Sequence, residues 1–284
     1  MMRKSPKRKT TYKRSAKSNS SSLKRLFQRF LLLFFLGCFV FVLYHFRSGL
    51  AYYFSFKTDK TLVGEEKRIS DVRNIQVIEN HKGKVLGIDV SEFQEKIDWD
   101  LVETVEETYP IHFVFVRATA GCDRLDRRFK RNWKAVQDRK LIRGAYHYYR
   151  PNENSIQQAA FFIQHVHLEK GDLPPVLDIE KLPKTQSIDS LKVGLHRWLD
   201  KVEAHYKVRP IIYSGERYYD DFLKEEFSDY VFWIANYNFY REKMDSDWLF
   251  WQFTEKASVT GIPRLVDVNV YNGDLQQLQF ITVD

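Results

Sequence analysis

The sequence predicts an α/β chain whose outer part folds as an incomplete TIM-like β/α barrel, and three observations predict it. Short apolar runs of strand length recur eight times after residue 84, apolar residues at helical spacing separate the earlier runs, and that spacing disappears toward the C-terminus. Alternating strand and helix implies parallel strands with helices packed outside them. The stretch 84–284 is at the short end for a complete eight-unit barrel. The expectation is therefore about five β/α units, followed by strands joined with few helices.

The chain begins with a basic tail. Residues 1–29 carry eleven Lys or Arg and no acid, whereas the formal net charge of the whole chain is +8, so the remainder is mildly acidic. Phe30 to Phe46 follow, FLLLFFLGCFVFVLYHF, with His45 as the strongly polar member. A run of this length just reaches what a bilayer crossing needs, and the positive charge ahead of it would remain cytoplasmic. Residues 30–46 are thus read as a transmembrane signal anchor in contact with the lipid bilayer, type II, with the bulk of the chain extracytoplasmic. No Ala-x-Ala cleavage pattern follows the run, as a cleaved signal peptide would require. Residues 47–83 show no clear period and are read as a juxtamembrane stalk. The basic tail is read as a topology signal, and no nucleic acid partner is expected.

Cys38 and Cys122 are the two cysteines, and with one in the apolar run and one in the outer part they cannot form a disulfide framework. The eight histidines lack a ligand spacing joined to Cys or acidic partners, so no metal and no cofactor is expected.

In the outer part, 84–284, the strand-like runs are Val85 to Val90, Phe113 to Ala118, Gly144 to Tyr149, Val176 to Glu180, Ile211 to Ser214, Val231 to Asn236, Leu249 to Phe253 and Val266 to Val270. Helical spacing joins Leu125, Phe129, Trp133 and Val136, then Ile156, Ala160, Ile163 and Val166, then Leu191, Leu195, Trp198 and Val202. Gly261 and Pro263 interrupt the segment before the last strand, which has no helical period.

Barrels of this kind carry their chemistry at the C-terminal ends of the strands. Those ends supply the acids Asp89, Asp178, Glu180 and Asp267, together with Arg117, Thr119, His147, Tyr148, Tyr149, Tyr213, Asn236, Tyr237, Gln252 and Asn269. Strand alternation puts Tyr148 with Tyr146 and sends Tyr149 the other way. Aromatic faces beside acids and amides suit a sugar chain, whose C–H faces stack on rings while its hydroxyls seek polar groups. Tyr148, Tyr213, Asn236, Trp251, Gln252 and Asn269 are the candidate substrate contacts. Within Asp178-Ile179-Glu180 the two acids share one strand face, with Cα atoms about 6.5 to 7 Å apart. Such a pair does not ionise independently, and one member can stay protonated near neutral pH, as glycoside hydrolysis requires of its proton donor.

The segments GIDVSEFQ, VRATAG, GAYHYYRP, PPVLDIE, PIIYSGE, FWIANY, FWQFT and GIPRLVDVNVYNG, in this order, resemble glycoside hydrolase family 25, the lysozymes of the N-acetylmuramidase type. The resemblance implies a flattened β/α barrel that cleaves the β-1,4 bond after N-acetylmuramic acid in peptidoglycan by a retaining, substrate-assisted route. It implies Glu180 as general acid/base, Asp178 as the group managing the 2-acetamido substituent, and Asp89 and Asp267 as acids that line the cleft and tune the pair. One departure stands at Arg117-Ala118-Thr119-Ala120-Gly121, where the family commonly has Lys and, in place of Ala120, Glu. The missing carboxylate is the one feature favouring a rival reading, a non-catalytic peptidoglycan-binding membrane anchor.

Overall fold

The computed structural model describes residues 20–45, 65–238 and 240–284, and its contacts divide the chain into two units, Met1–Leu50 and Ala51–Asp284. In the first unit a helix, α1, runs Ser20–His45, with Phe30, Leu32, Leu33 and Phe41 exposed along it. Among the described residues no helix is long and apolar enough to cross a membrane. Phe46 of the expected anchor, the side chains of Val42 to His45, most of the basic tail and residues 47–64 lie outside the described residues.

In the second unit, eight strands among the described residues close into a barrel. They are β1 (Val85–Val90), β2 (Phe113–Ala120), β3 (Ile142–Tyr148), β4 (Val176–Asp178), β5 (Ile211–Gly215), β6 (Phe232–Ala235), β7 (Trp248–Ala257) and β8 (Val266–Tyr271). Neighbours from β1 to β7 pair in parallel, β8 runs antiparallel to β7, and β1 closes the ring by pairing antiparallel with β8 and parallel with β2.

Long helices follow β2, β3 and β4: α3 (Phe129–Asp138), α4 (Ser155–His165) and α5 (Ile188–Tyr206). These are the three helices the apolar spacing predicts. The expectation of about five β/α units is higher than what forms. After β1 the chain makes two single turns, each capped by a side chain (Ser91 onto Phe93 N–H, Asp98 onto Asp100 N–H), and Glu106 and Glu107 then take left-handed backbone angles. After β5 the helical segment extends only from Glu216 to Leu223. A final short helix, Leu275–Phe280, closes the chain.

Strand alternation sorts the core into two layers. Leu86, Ile88, Val114, Val116, Leu177, Ile179, Ile212 and Ile234 face outward, in one buried cluster with α3, α4 and α5. Phe113, Phe115, Trp233, Phe250 and Tyr271 fill the interior. Gly87 and Gly144 make this filling possible, because a Cβ at Gly87 would stand 2.4 Å from the Phe113 ring and one at Gly144 2.5 Å from the Phe115 ring. These rings, mostly packed edge to face with Phe115 stacked on Trp233, fill the lower barrel.

Residues 65–80, which the sequence leaves inside the stalk, form a helix, α2 (Glu65–Asn80), with Val77 and Ile78 in the same core cluster as the barrel's outer face. Its buried face also holds Arg73 and Asn74, which is why apolar periodicity does not reveal it. Arg73 donates from Nη1 to Phe253 O at 2.7 Å and from Nη2 to Asn238 O at 2.9 Å. Just beyond the helix, His81 Nδ1 donates to Val77 O, leaving Nε2 to accept from Met244 N–H at 3.1 Å. The helix thus grips both β7 and the loop after β6. Replacing Arg73 by Ala strands two carbonyls, and the full chain should lose about 2 kcal/mol of stability. Denaturant unfolding of the variant measures this, and an unchanged midpoint would show that the helix does not hold the loop.

Candidate active site

At the C-terminal end of the barrel lies a cavity of about 320 Å³, lined by Asp89, Arg117, Tyr146, Tyr148, Asp178, Glu180, Tyr213, Trp233, Tyr237, Gln252, Glu255 and Asp267, among others. Its shape follows from strand parity. On β4 and just past its end, Val176, Asp178 and Glu180 face inward while Leu177 and Ile179 are buried in the outer layer. Two bonds keep the chain extended there: Ile179 N–H donates to Tyr213 O at 3.0 Å, and Ser214 Oγ donates to Ile179 O at 2.6 Å. The two carboxyls therefore share one wall, with Asp178 buried and Glu180 exposed.

Burial, and then the charge of Glu180, push the Asp178 carboxyl well above the usual carboxylate range, while Arg117 opposes the shift. Its Oδ1 is buried without a hydrogen-bond partner in the protein. Both effects favour the protonated form of Asp178.

Asp89 and Asp267 are direct cross-strand partners on β1 and β8. Asp89 Oδ2 accepts from Gln252 Nε2 at 2.7 Å and from Asn269 Nδ2 at 2.9 Å. Gln252 Oε1 in turn accepts from Tyr213 OH at 2.8 Å and from Tyr237 OH, and Asn269 Oδ1 accepts from Trp233 Nε1 at 2.8 Å. Each amide is oriented by these partners, since its oxygen takes O–H or N–H donors and its NH₂ faces the carboxylate. Beneath the acids, burial and the charge of Asp89 push the Tyr146 phenol up, so it remains a neutral hydroxyl.

Of the candidate contacts, Tyr148, Tyr213 and Gln252 line the cavity. Asn269 sits one layer deeper, fully buried against Asp89. Trp251 and Asn236 do not line it. Trp251 follows Phe250 and precedes Gln252 on β7, so alternation turns it outward, where it is fully buried edge-on to His81 and donates to Asn236 O. Asn236 stands between the inward Ala235 and Tyr237 and donates to Glu216. Thr119 and His147 also face away: their side chains bond each other at 2.7 Å, and the imidazole stacks on Trp198. Burial depresses the His147 pKa to about 4, which keeps it neutral.

Missing from the candidates is a charged network at the rim. The buried Glu92 carboxylate is met by Arg117 at 3.1 Å, by Arg127 at 2.7 Å and by Arg124, and Arg117 also reaches Asp126 at 2.9 Å. The run of cations in RLDRRFKR, beside an acid that follows a strand, is the sequence signal for it. Arg117, in the position where the resemblance expects Lys, lies 4.7 Å over the Phe93 ring. Ala120 is buried in β2. Among the described residues no group of three or more His, Cys, Asp or Glu is placed to hold a metal ion.

Comparison with known proteins agrees with this geometry. Residues 88–262 match the family model for glycosyl hydrolases family 25. The uncharacterized protein YegX of Escherichia coli K12 is 40% identical over 197 residues, covering 68% of this chain and 71% of that protein. Lysozyme M1 of Streptomyces globisporus is 31% identical over 209 residues, covering 68% and 70%. Among solved structures, a bacterial lysozyme from Streptomyces coelicolor superposes with a TM-score of 0.63 at 27% identity, covering 71% of this chain and 98% of that one. A family 25 glycosyl hydrolase from Bacillus anthracis gives 0.61 at 27% identity, covering 70% and 93%.

Burial alone would raise the Glu92 pKa, but the bonds from Arg127 and Arg124 and the charge of Arg117 outweigh it, holding the group at about 2 against an ordinary 4.5. A folded-state pKa below the unfolded one stabilises the fold above the unfolded value, and that contribution is lost as pH falls through the folded value. The chain should therefore lose stability between about pH 4.5 and about pH 2 through this group. Melting temperatures across that window should fall less steeply for Glu92→Gln, which is less stable than the parent at neutral pH.

Proposed function

The chain belongs to glycosyl hydrolases family 25, and from that premise we propose that it is a lysozyme of the muramidase type. It hydrolyses the β-1,4 bond between N-acetylmuramic acid and N-acetylglucosamine in peptidoglycan. The observation that carries the reading is the pairing of one buried and one exposed carboxyl, Asp178 and Glu180, on one wall of the barrel-end cleft. The names of the relatives support it, one a lysozyme of Streptomyces globisporus and another an autolytic lysozyme of Clostridium acetobutylicum.

Before substrate arrives, burial and the Glu180 charge favour the protonated form of Asp178. A glycan laid across the cleft strips water from Glu180, which raises the proton affinity of the outer carboxyl. The proton passes to Glu180, which donates it to the departing glycosidic oxygen, while Asp178 is left anionic. The substrate's own 2-acetamido oxygen attacks the anomeric carbon from the opposite face, and Asp178 stabilises the positive charge that then develops on the acetamido group. Water, deprotonated by Glu180, opens this cyclic intermediate and the configuration is retained. Asp89 is fixed by Gln252 and Asn269, and with Asp267 it keeps the floor anionic beneath a cationic transition state.

The N-terminal region completes the proposal. Eleven cations ahead of a continuous apolar run support a type II signal anchor over residues 30–46, with the tail cytoplasmic and the barrel on the cell-wall side of the membrane. The helical conformation of Ser20–His45 and its exposed apolar side chains are compatible with that role.

Glu180→Gln should lower kcat on peptidoglycan by about 10²- to 10⁴-fold, the range for loss of a general acid, with the melting temperature little changed. Mass spectrometry of released muropeptides reads the reducing-end sugar. A Gln variant as active as the parent would remove Glu180 from the role, and a parent chain that binds the polymer without shortening its glycans would select the non-catalytic anchor.

A further inference from the structure

We infer that the arginine rim of the cleft is a subsite for the carboxylates of the peptide that peptidoglycan carries on its muramic acid. This inference rests on the peptidoglycan substrate proposed above. Three guanidiniums, those of Arg117, Arg124 and Arg127, converge on Glu92, and Glu92 and Asp126 are the two carboxylates that answer them. Arg128, Lys130 and Arg131 follow directly in the chain, so the segment carries a clear excess of positive charge. Arg117 lines the cleft and its Nη2 lies 3.1 Å from Glu92, so the arginines that meet Glu92 gather beside the cleft wall.

Two of the three heads have donors to spare. Arg124 engages Glu92 through Nη2 with its side chain 50% exposed, and Arg127 does so through Nε with its side chain 81% exposed. A guanidinium carries five N–H donors in a rigid plane that matches a carboxylate, so each keeps outward donors for a second acid. Glu92 has already immobilised the heads, which lowers the ordering cost of engaging a ligand.

The floor of the same cleft carries Asp89, Asp178, Glu180, Glu255 and Asp267. A neutral glycan can rest on that floor, whereas an anionic substituent is repelled from it and directed to the positive edge. In peptidoglycan the acid is attached covalently to the sugar that occupies the cleft, through its lactyl ether. It therefore reaches the rim whenever the glycan is bound, which favours a peptide carboxylate over a separate phosphate polymer.

The test compares peptide-bearing peptidoglycan with the same glycan strands after an amidase has removed the peptides, using the full chain and an Arg124→Gln/Arg127→Gln variant. Each charge removed should raise KM on the peptide-bearing substrate by roughly 2- to 5-fold, the span of an exposed ion pair. Turnover number should hold, the salt dependence of KM should weaken, and kinetics on stripped strands should not move. Equal changes on both substrates would mean that the arginines only hold Glu92 and would overturn the assignment. So would a change confined to wall preparations that retain a phosphate polymer. If the double variant melts early, Arg127→Gln alone gives the same reading from the more exposed head. Equilibrium binding of both glycans by the full chain carrying Glu180→Gln reads the subsite without turnover. A parent that cleaves neither substrate while the Gln chain still prefers peptide-bearing strands would sink the hydrolase reading and keep the subsite.

Discussion

The closure of β1 between two strands of opposite sense is the constraint on which the rest of the molecule depends. Asp89 stands opposite Asp267 on antiparallel β8 and in register with Phe115 on parallel β2. That single register fixes which residues of every later strand face the interior, because parity propagates from strand to strand around a closed ring. A slip of one residue would turn Asp89 into the apolar outer layer and bring Ile88 into the cleft. The aromatic plug below and the acidic mouth above are therefore two consequences of one pairing. Gly87 shows the coupling directly, since it leaves room for Phe113 two residues before the same strand presents Asp89.

Gathering acids at one barrel mouth costs stability through mutual repulsion and desolvation, and the structure offsets this in different ways for different acids. Asp89 Oδ2 receives two side-chain amide N–H groups whose orientation is set by Tyr213, Tyr237 and Trp233. Asp178 has an oxygen with no protein partner and is driven toward its neutral form instead. Glu92, at the rim, is held as an anion by three arginines. The three acids thus meet three environments, amide donors at Asp89, apolar burial at Asp178 and guanidiniums at Glu92, although all are carboxyls at or just after strand ends.

Much of this was legible in the sequence. Eight apolar runs and three amphipathic stretches yield the strands and the three long helices, and Tyr146, Tyr148 and Tyr149 obey the alternation read from their spacing. The same rule applied to β6 and β7 separates Gln252 from Trp251, and Ala235 and Tyr237 from Asn236. Residue type drew attention to Trp251 and Asn236, and parity overruled it. What stayed hidden is structure that apolar patterning does not encode. Helix α2 packs through Arg73 and Asn74 as much as through Val77 and Ile78, and its partners lie over 150 residues away in Asn238 and Phe253. The Glu92 network is likewise a set of charge pairs across 25 to 35 residues, invisible to any local period.

The grip of α2 on the loop after β6 bears on chemistry as well as stability. Asn238, held by Arg73, follows Tyr237, whose hydroxyl orients Gln252 against Asp89. A continuous set of bonds therefore runs from a helix that precedes the matched family segment to a carboxylate on the cleft floor. Arg73 meets backbone carbonyls here, and burial depresses its pKa to about 10, so it still carries its charge at neutral pH. A charged group buried on carbonyls alone is costly unless its geometry is kept. That cost makes the loop position sharply defined and not merely favoured, which is what an oriented amide facing the cleft requires.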